Sequence, residues 1–414
     1  MPQWSDYTTG ERIKALRGKN VRQSDLAEMT GLSIVTIQNA EQDKRLSLPT
    51  LMKIADALGA DTSVILGQQA PRRAMDQGDR ATMRKLSRAV HDTAVGMLPD
   101  NAEASPLDEL RQAVDRCWDV YWAGRYTEVG AIVAPLVIAA SARLREQPVD
   151  EQADAWAVLS DAYRISAYVA NLMGNRELAY AAIGHAQEAA QSAADPLRGA
   201  LVASGRAWVY LRDARLPEAL ELAERSAVDI EPRMSRATPD QLVAYGSHVN
   251  FAAVVASRLG NKERAADYLS QSHATGALMG REVRAHGTLF GPTTATTQAV
   301  GVNVALGNVG KALELIGSVD DVSDLTDAAQ SRYAMDKALA YADAQQWDNA
   351  LDTLEDTLTN DPVWARHQTL PSVILQKVGT GSTDRLRRVS ALVGVSPIGV
   401  GDHGFAPATD RSAL

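Results

Sequence analysis

The chain is short of the features that mark several protein classes. A single cysteine, Cys117, in 414 residues excludes an intramolecular disulfide framework and fits a reducing compartment. No apolar run approaches the ~20 residues of a membrane span; the longest, Val129 to Ala140, contains Pro135. The opening MPQWSDYTTGER is polar and charged, without the apolar centre of a secretory leader. A soluble cytoplasmic protein with no membrane partner is therefore expected. The seven histidines fall at no helical metal-ligand spacing. None of the patterns GxxxxGK[ST], GxGxxG or GxSxG occurs. Cys117, beside Trp118 on an apolar helix face, reads as packing. No catalytic residue, metal or cofactor is expected, and the chain does not read as an enzyme. A basic excess is also missing: 42 Lys and Arg face 51 Asp and Glu, for a net charge of −9.

What is present, at 23–45, is QSDLAEMTGLSIVTIQNAEQDKR. Small Ala27 lets a second helix cross close to the first. Gly31 tolerates φ > 0 in a three-residue turn, and Ser33 offers its hydroxyl as N-cap to the next helix. Leu26, Leu32 and Ile37 are spaced to bury between the two helices, which leaves Ile34, Val35, Thr36, Gln38 and Asn39 outward. An αα-hairpin with a glycine turn would show part of this pattern. The flanks add a helix from Thr9 to Lys19, one opened by Ser47-Leu48-Pro49-Thr50 and stopped at Gly59, and a last short one after Asp61-Thr62-Ser63.

Five short helices in this order, the motif as second and third, resemble the phage-repressor (Cro-like, XRE) type of DNA-binding domain. The resemblance implies that the second motif helix enters the major groove of double-stranded DNA. It gives Gln23 a phosphate contact through its amide, and Lys44 and Arg45 backbone contacts after the recognition helix. Glu41 becomes the acid that ties this helix to the first, with Arg17 as its partner. Thr30 and Ala40 stand where the family has larger apolar residues, and Asp43 where it commonly has glycine. The candidate DNA-binding set is Gln23, Ser33, Ile34, Val35, Thr36, Gln38, Asn39, Lys44 and Arg45. Asn39 and Gln38 can bond adenine bidentately, and Ile34, Val35 and the Thr36 methyl suit thymine methyls. Ile34 or Val35 packed against protein is the alternative.

Charge counted by segment reconciles the acidity with a nucleic-acid partner. Residues 1–69 sum to zero and 70–90 to +4, which leaves −13 on the remainder. So weak a positive field implies modest affinity per head, hence a homodimer using two heads on a two-fold operator.

Beyond residue 106 no strand is evident, and Ala-rich helical patterning runs almost unbroken to about 378. Short turns begin at 124, 174, 213, 260, 307 and 345, in steps of 38 to 50 residues. Each is followed by a helix start such as Pro217-Glu218-Ala219-Leu220. This is a degenerate repeat of helix pairs close to the tetratricopeptide type, with a generic helical bundle as the alternative. The fold class is all-α: a five-helix repressor-type head and an α-solenoid of tetratricopeptide-like pairs. The expected division is 1–69 for the head and 70–105 for a linker, with a hinge at 68–73 and a connecting helix at 81–90. The repeat body follows at 106–393, used for dimerisation and ligand sensing, then a tail at 394–414.

The layout, and the segments WDVYWAGRYTEVG (118–130), NLMGNRELAY (171–180) and LFGPTTATTQAVGVNVALGN (289–308), resemble an actinobacterial set of regulators. They are also similar to the bacterial peptide-responsive Rgg/PlcR/PrgX group. The latter likeness implies a peptide held on the concave face, which the first helix of each pair lines. By position the candidates are Arg164, Tyr168, Asn171, Arg206, Tyr210, His248, Asn250 and Asn303, with Phe251 beside them. An ordinary inter-helix role is the alternative for each. The expected function is a dimeric transcription regulator that senses a peptide or small-molecule effector. The alternative is a protein-interaction scaffold whose DNA binding is secondary or lost.

Overall fold

A computed structural model describes residues 7–18, 21–58, 60, 62–66, 77–365, 367–368, 370–378 and 384–393. The expected hinge at 68–73, the stop at Gly59 and the tail at 394–414 lie outside these. The head consists of α1 (Thr9–Arg17), α2 (Gln23–Thr30), α3 (Ile34–Glu41), α4 (Leu48–Ala57) and α5 (Thr62–Ile65). Local chemistry starts each of the first four. Thr8 and Glu11 form a capping box on α1, and at α2 the Asp25 carboxylate accepts the Arg22 N–H at 2.8 Å. Ser33 caps α3, and Ser47, with Pro49 in the first turn, caps α4. Ile13, Leu26, Ile37, Leu51 and Ile54 are fully buried at the centre, while Leu32 is only partly so.

The departures from the repressor pattern at Asp43 and Ala40 have structural reasons. Asp43 sits at φ 55°, in the left-handed position that closes α3, with Lys44 N–H bonded to Asn39 O at 2.9 Å. Its carboxylate accepts the Gly10 N–H at 2.7 Å, a bond glycine could not make. Small Ala40 is explained by proximity. A side chain at Gly10 would lie 2.4 Å from Glu41 O, so α1 presses directly on the end of α3.

The connecting helix is longer than expected. α6 (Gln77–Ala94) buries Met83, Leu86, Ala89 and Val90 and lies on the second helix of the body. Six antiparallel pairs follow among the described residues: α7 (Leu107–Trp122) with α8 (Tyr126–Glu146), α9 (Ala153–Leu172) with α10 (Arg176–Ser192), and α11 (Pro196–Arg212) with α12 (Leu216–Asp229). Then come α13 (Pro239–Arg258) with α14 (Lys262–Met279), α15 (Pro292–Ala305) with α16 (Val309–Gly317), and α17 (Asp327–Asp343) with α18 (Trp347–Asn360). Fully buried Ala162 and Ala170 on α9 and Ala179, Ala182 and Ala186 on α10 allow the close approach the repeat needs. All six turns hold a left-handed residue: Gly124, Gly174, Gly260 and Gly307 at φ 72–76°, Ala214 at 60° and Gln345 at 61°. Glycine pays no steric cost there; alanine and glutamine do. By length and composition α8 could cross a membrane, but its buried face forms body core against α6, α7 and α9.

The expectation of an all-helical body is corrected at one point. β1 (Val283–Ala285) and β2 (Thr288–Phe290) form an antiparallel hairpin. Three-residue strands are too short to show alternation. The turn is made by His286 at φ 48° and Gly287 at φ 71°, the pair of positive values that a two-residue hairpin favours. The hairpin straps the stack across its concave side. Trp122 Nε1 donates to Gly287 O at 2.8 Å, Arg284 pairs with Asp119 at 2.6 Å, and Arg164 donates to His286 O. A side chain at Gly287 would meet the Trp118 ring at 2.2 Å. Pro292 starts α15, as its sequence suggests, and Glu282 accepts the N–H groups of Thr293 and Thr294 at 2.8 and 3.0 Å, fixing the hairpin to that helix.

Last come α19 (Pro362–Ala365), α20 (Leu370–Val378) and α21 (Asp384–Val393), which cover α17 and α18. The stack curls until its ends meet. His367 lies against Tyr126 with ring centroids 5.4 Å apart, and Trp364 packs on Gly124.

Candidate nucleic-acid interface and the cavity behind it

The outer face of α3 is open. Ile34 is 44% and Val35 58% exposed, so neither packs against protein, and Gln38 and Asn39 are half-exposed beside them. Lys44 and Arg45 are exposed just beyond the helix. Ser33 Oγ accepts the Thr36 N–H at 3.1 Å and meets Thr36 Oγ1 at 2.8 Å. That pair is spent on starting the helix and leaves the Thr36 methyl for contact. The helix therefore presents methyl groups and two amides without a cation on its shaft.

Behind this face is a buried polar anchor. Glu41 receives Arg17 Nε at 2.5 Å and Gln23 Nε2 at 2.6 Å. The expected Arg17–Glu41 pair is thus present. Gln23 has a further task that the sequence did not suggest: its amide donates to Glu41 and ties α2 to α3. Thr30 directs its hydroxyl to Leu26 O at 2.7 Å, which explains a polar residue at a buried site.

The opposite side of the head rests on the body. Leu48 and Met52 of α4 pack with Ala207 on α11, Leu216, Ala219 and Leu220 on α12, and Ala252 and Ala256 on α13. Asp56, at the rim, has its carboxyl pKa raised, by burial first and then by Glu218 and Asp213.

Under this contact lies a cavity of about 380 Å³, within the size range of ligand sites. Leu48, Met52 and Thr62 of the head form one wall. First helices of all six pairs contribute most of the rest, through residues such as Trp122, Tyr168, Trp208, Phe251, Thr294 and Arg332, with Phe290 from the hairpin, Tyr126 from α8, and Trp364 and Leu370 from the C-terminal helices. The expected concave lining by first helices is therefore found, but not with the expected residues. Of the eight candidates only Tyr168 and Asn250 line the cavity. Arg164, 1% exposed, is a strut: it lies 4.8 Å from the Trp118 ring and holds the hairpin turn. Asn171 is fully buried. Arg206 sits beside Gly184 of α10, and Tyr210 lies under Arg215 at 4.3 Å. His248 bridges Ala244 O and Ala200 O at 2.7 and 2.9 Å, and burial lowers its pKa. Asn303 bonds Ala299 O at 2.9 Å. Arg164 and His248 are held by other elements, the hairpin turn and α11, and Asn303 by its own helix, which a one-dimensional repeat does not reveal.

Sequence reasoning missed Trp122, Trp208, Arg212, Arg258 and Arg332. One signal was available: Arg212 and Arg258 both end the first helix of a pair, just before its turn. Cys117 is buried as expected, and burial pushes its thiol pKa up to about 12. No cluster of metal-ligand residues occurs among the described residues.

Residues 13–65 match the family model described as helix-turn-helix, a span from within α1 to the end of α5. The chain carries an XRE-type helix-turn-helix domain at its N-terminus. The helical repeat-like region that follows lies outside that match, and no curated protein matches the chain.

Proposed function

We propose that the chain is a sequence-specific, dimeric transcription regulator whose helical body senses an effector and passes its state to the DNA-binding head. The family match, with an open recognition face on α3, supports DNA binding. One observation carries the regulatory part: α4, which follows the recognition helix, is a wall of the body's cavity. An occupant of that cavity would touch the head directly, so its binding energy would depend on where the head sits, which is the requirement for a switch. A peptide or a small molecule would serve. The place of work is the compartment that holds the DNA.

Selection from random duplexes with purified full-length protein tests the reading. A two-fold site with half-site centres about 34 Å apart, one DNA turn, is expected. Asn39→Ala is expected to weaken binding to that site by about 1–3 kcal/mol while leaving random DNA almost unaffected. Equal losses on both would sink base reading by α3. Enrichment of no sequence at all would favour a scaffold built on the repeats.

A further inference from the structure

We propose that the cavity behind α4 is a binding site for a small organic acid with a flat apolar body, its anionic head held by Arg258 and Arg332. The proposal deepens the effector-sensing reading and rests on it only for the effect on DNA.

The walls are unlike the rest of the molecule. The chain has 7 Trp, 11 Tyr and 3 Phe, and 8 of these 21 rings line this one cavity, Trp122, Trp208, Phe251 and Trp364 among them. Rings of this kind stack on a flat apolar group at little entropic cost. The charge is equally unrepresentative. In a protein with a net charge of −9, the described lining contains Arg212, Arg258 and Arg332 and no carboxylate.

Arg258 decides the sign of the ligand. It is the last residue of α13, only 7% exposed, and makes no hydrogen bond or ion pair among the described residues. The nearest charges acting on it are Arg332, which repels it, and Asp336, which attracts it. Arg332 already uses Asp336, Nε to Oδ2 at 3.2 Å. Two guanidinium groups thus share one buried carboxylate. Burial, followed by Arg332, lowers the Arg258 pKa to about 10. A buried cation without its own counter-charge is costly, and a planar fork of N–H donors fits a carboxylate or phosphate in two-point contact. An anion seated there would supply the missing charge. Its apolar body would extend along the aromatic wall toward Leu48 and Met52.

Titration calorimetry on the full chain tests this with 1-naphthaleneacetate, its neutral twin 1-naphthaleneacetamide, and phenyl phosphate. One saturable site for an acid is expected, with the amide at least ten-fold weaker. The preferred acid tells a carboxylate head from a phosphate. Arg258→Gln is expected to weaken acid binding at least ten-fold and to leave the amide unchanged. It removes an unpaired buried charge, so it should fold at least as well, and an unchanged melting curve checks that. Arg206→Gln, away from the cavity, should bind as the parent does. No binding of either acid at millimolar concentration, an amide equal to its acid, or an unaltered Arg258→Gln would each overturn the proposal. Operator affinity measured alongside separates the two readings. An acid that binds without changing operator affinity leaves the site and sinks sensing; intact operator binding with no acid binding does the reverse.

Discussion

Head and body build their working surfaces in opposite ways. The candidate DNA-facing groups of the head lie within 33–45, on α3 and its immediate ends, and they are exposed or half-exposed. The cavity is assembled from residues as far apart as Leu48 and Leu370, and its polar groups are buried or half-buried. The first kind of surface depends on local geometry: an N-cap, a left-handed turn, a helix with one open side. The second depends on how many helices twist before the stack closes on itself. Met52 belongs to both regions, since it is part of a head helix and of the body's cluster, and it is where the comparison can be tested.

The largest effect is expected inside the head. Glu41→Ala leaves Arg17 buried without its partner and should cost about 3–5 kcal/mol. A small head has little stability to lose, so a thermal scan should show the head melting early while the body's transition stays in place. A single shifted transition would mean that head and body fold as one unit, and the contrast drawn above would fail. Next comes the contact between them. Met52→Ala should weaken docking by about 2 kcal/mol, read as faster hydrogen exchange in α4 and along 216–223; exchange unchanged in both places would mean that the contact contributes nothing.

A smaller effect comes from Asp56. Its carboxyl pKa is raised while the head is docked, so the docked form binds the proton more tightly. Docking is favoured as pH falls through the raised value and weakened as pH rises above it, in a window just above the ordinary aspartate value of about 3.9. Asp56→Asn removes the repulsion from Glu218 and Asp213 and should tighten docking by less than about 1 kcal/mol, because the site is at the rim. The pH dependence of exchange in α4 should flatten in this variant; if it does not, other groups govern the contact. The smallest effect concerns the turns. Ala214→Gly removes a left-handed alanine but loosens the unfolded chain, for a net gain of about 0.5 kcal/mol, measurable by denaturant unfolding. A loss instead would show that Ala214 packing outweighs the strain.

Much of the head was legible. Gly31, Ser33 and the Arg17–Glu41 pair act over short or patterned distances, and their roles follow from residue type and spacing. Asp43 was only half legible. Its tolerance of φ > 0 follows from its short polar side chain, but its bond to Gly10, 33 residues away, required the packed head. In the body the six turns could be read, because a left-handed residue must end each first helix. The hairpin could not, since three-residue strands carry no period. The eight candidate ligand residues were chosen as long polar groups on first helices. Arg164 and His248 met that description and are struts between helices. Arg258 met it equally well, and only its packing leaves it facing an open space.

The sequence by itself determined the helices, the head's motif, the turns and the side of each pair that faces inward. These depend on capping, backbone sterics and helical period, all of which act over a few residues. Tertiary structure alone decided which inward side chains are struts and which line the cavity, how the hairpin closes the stack, and that α4 covers the result. The angle between successive pairs sets those outcomes. That angle is a sum of many small packing contacts, and no single residue encodes it.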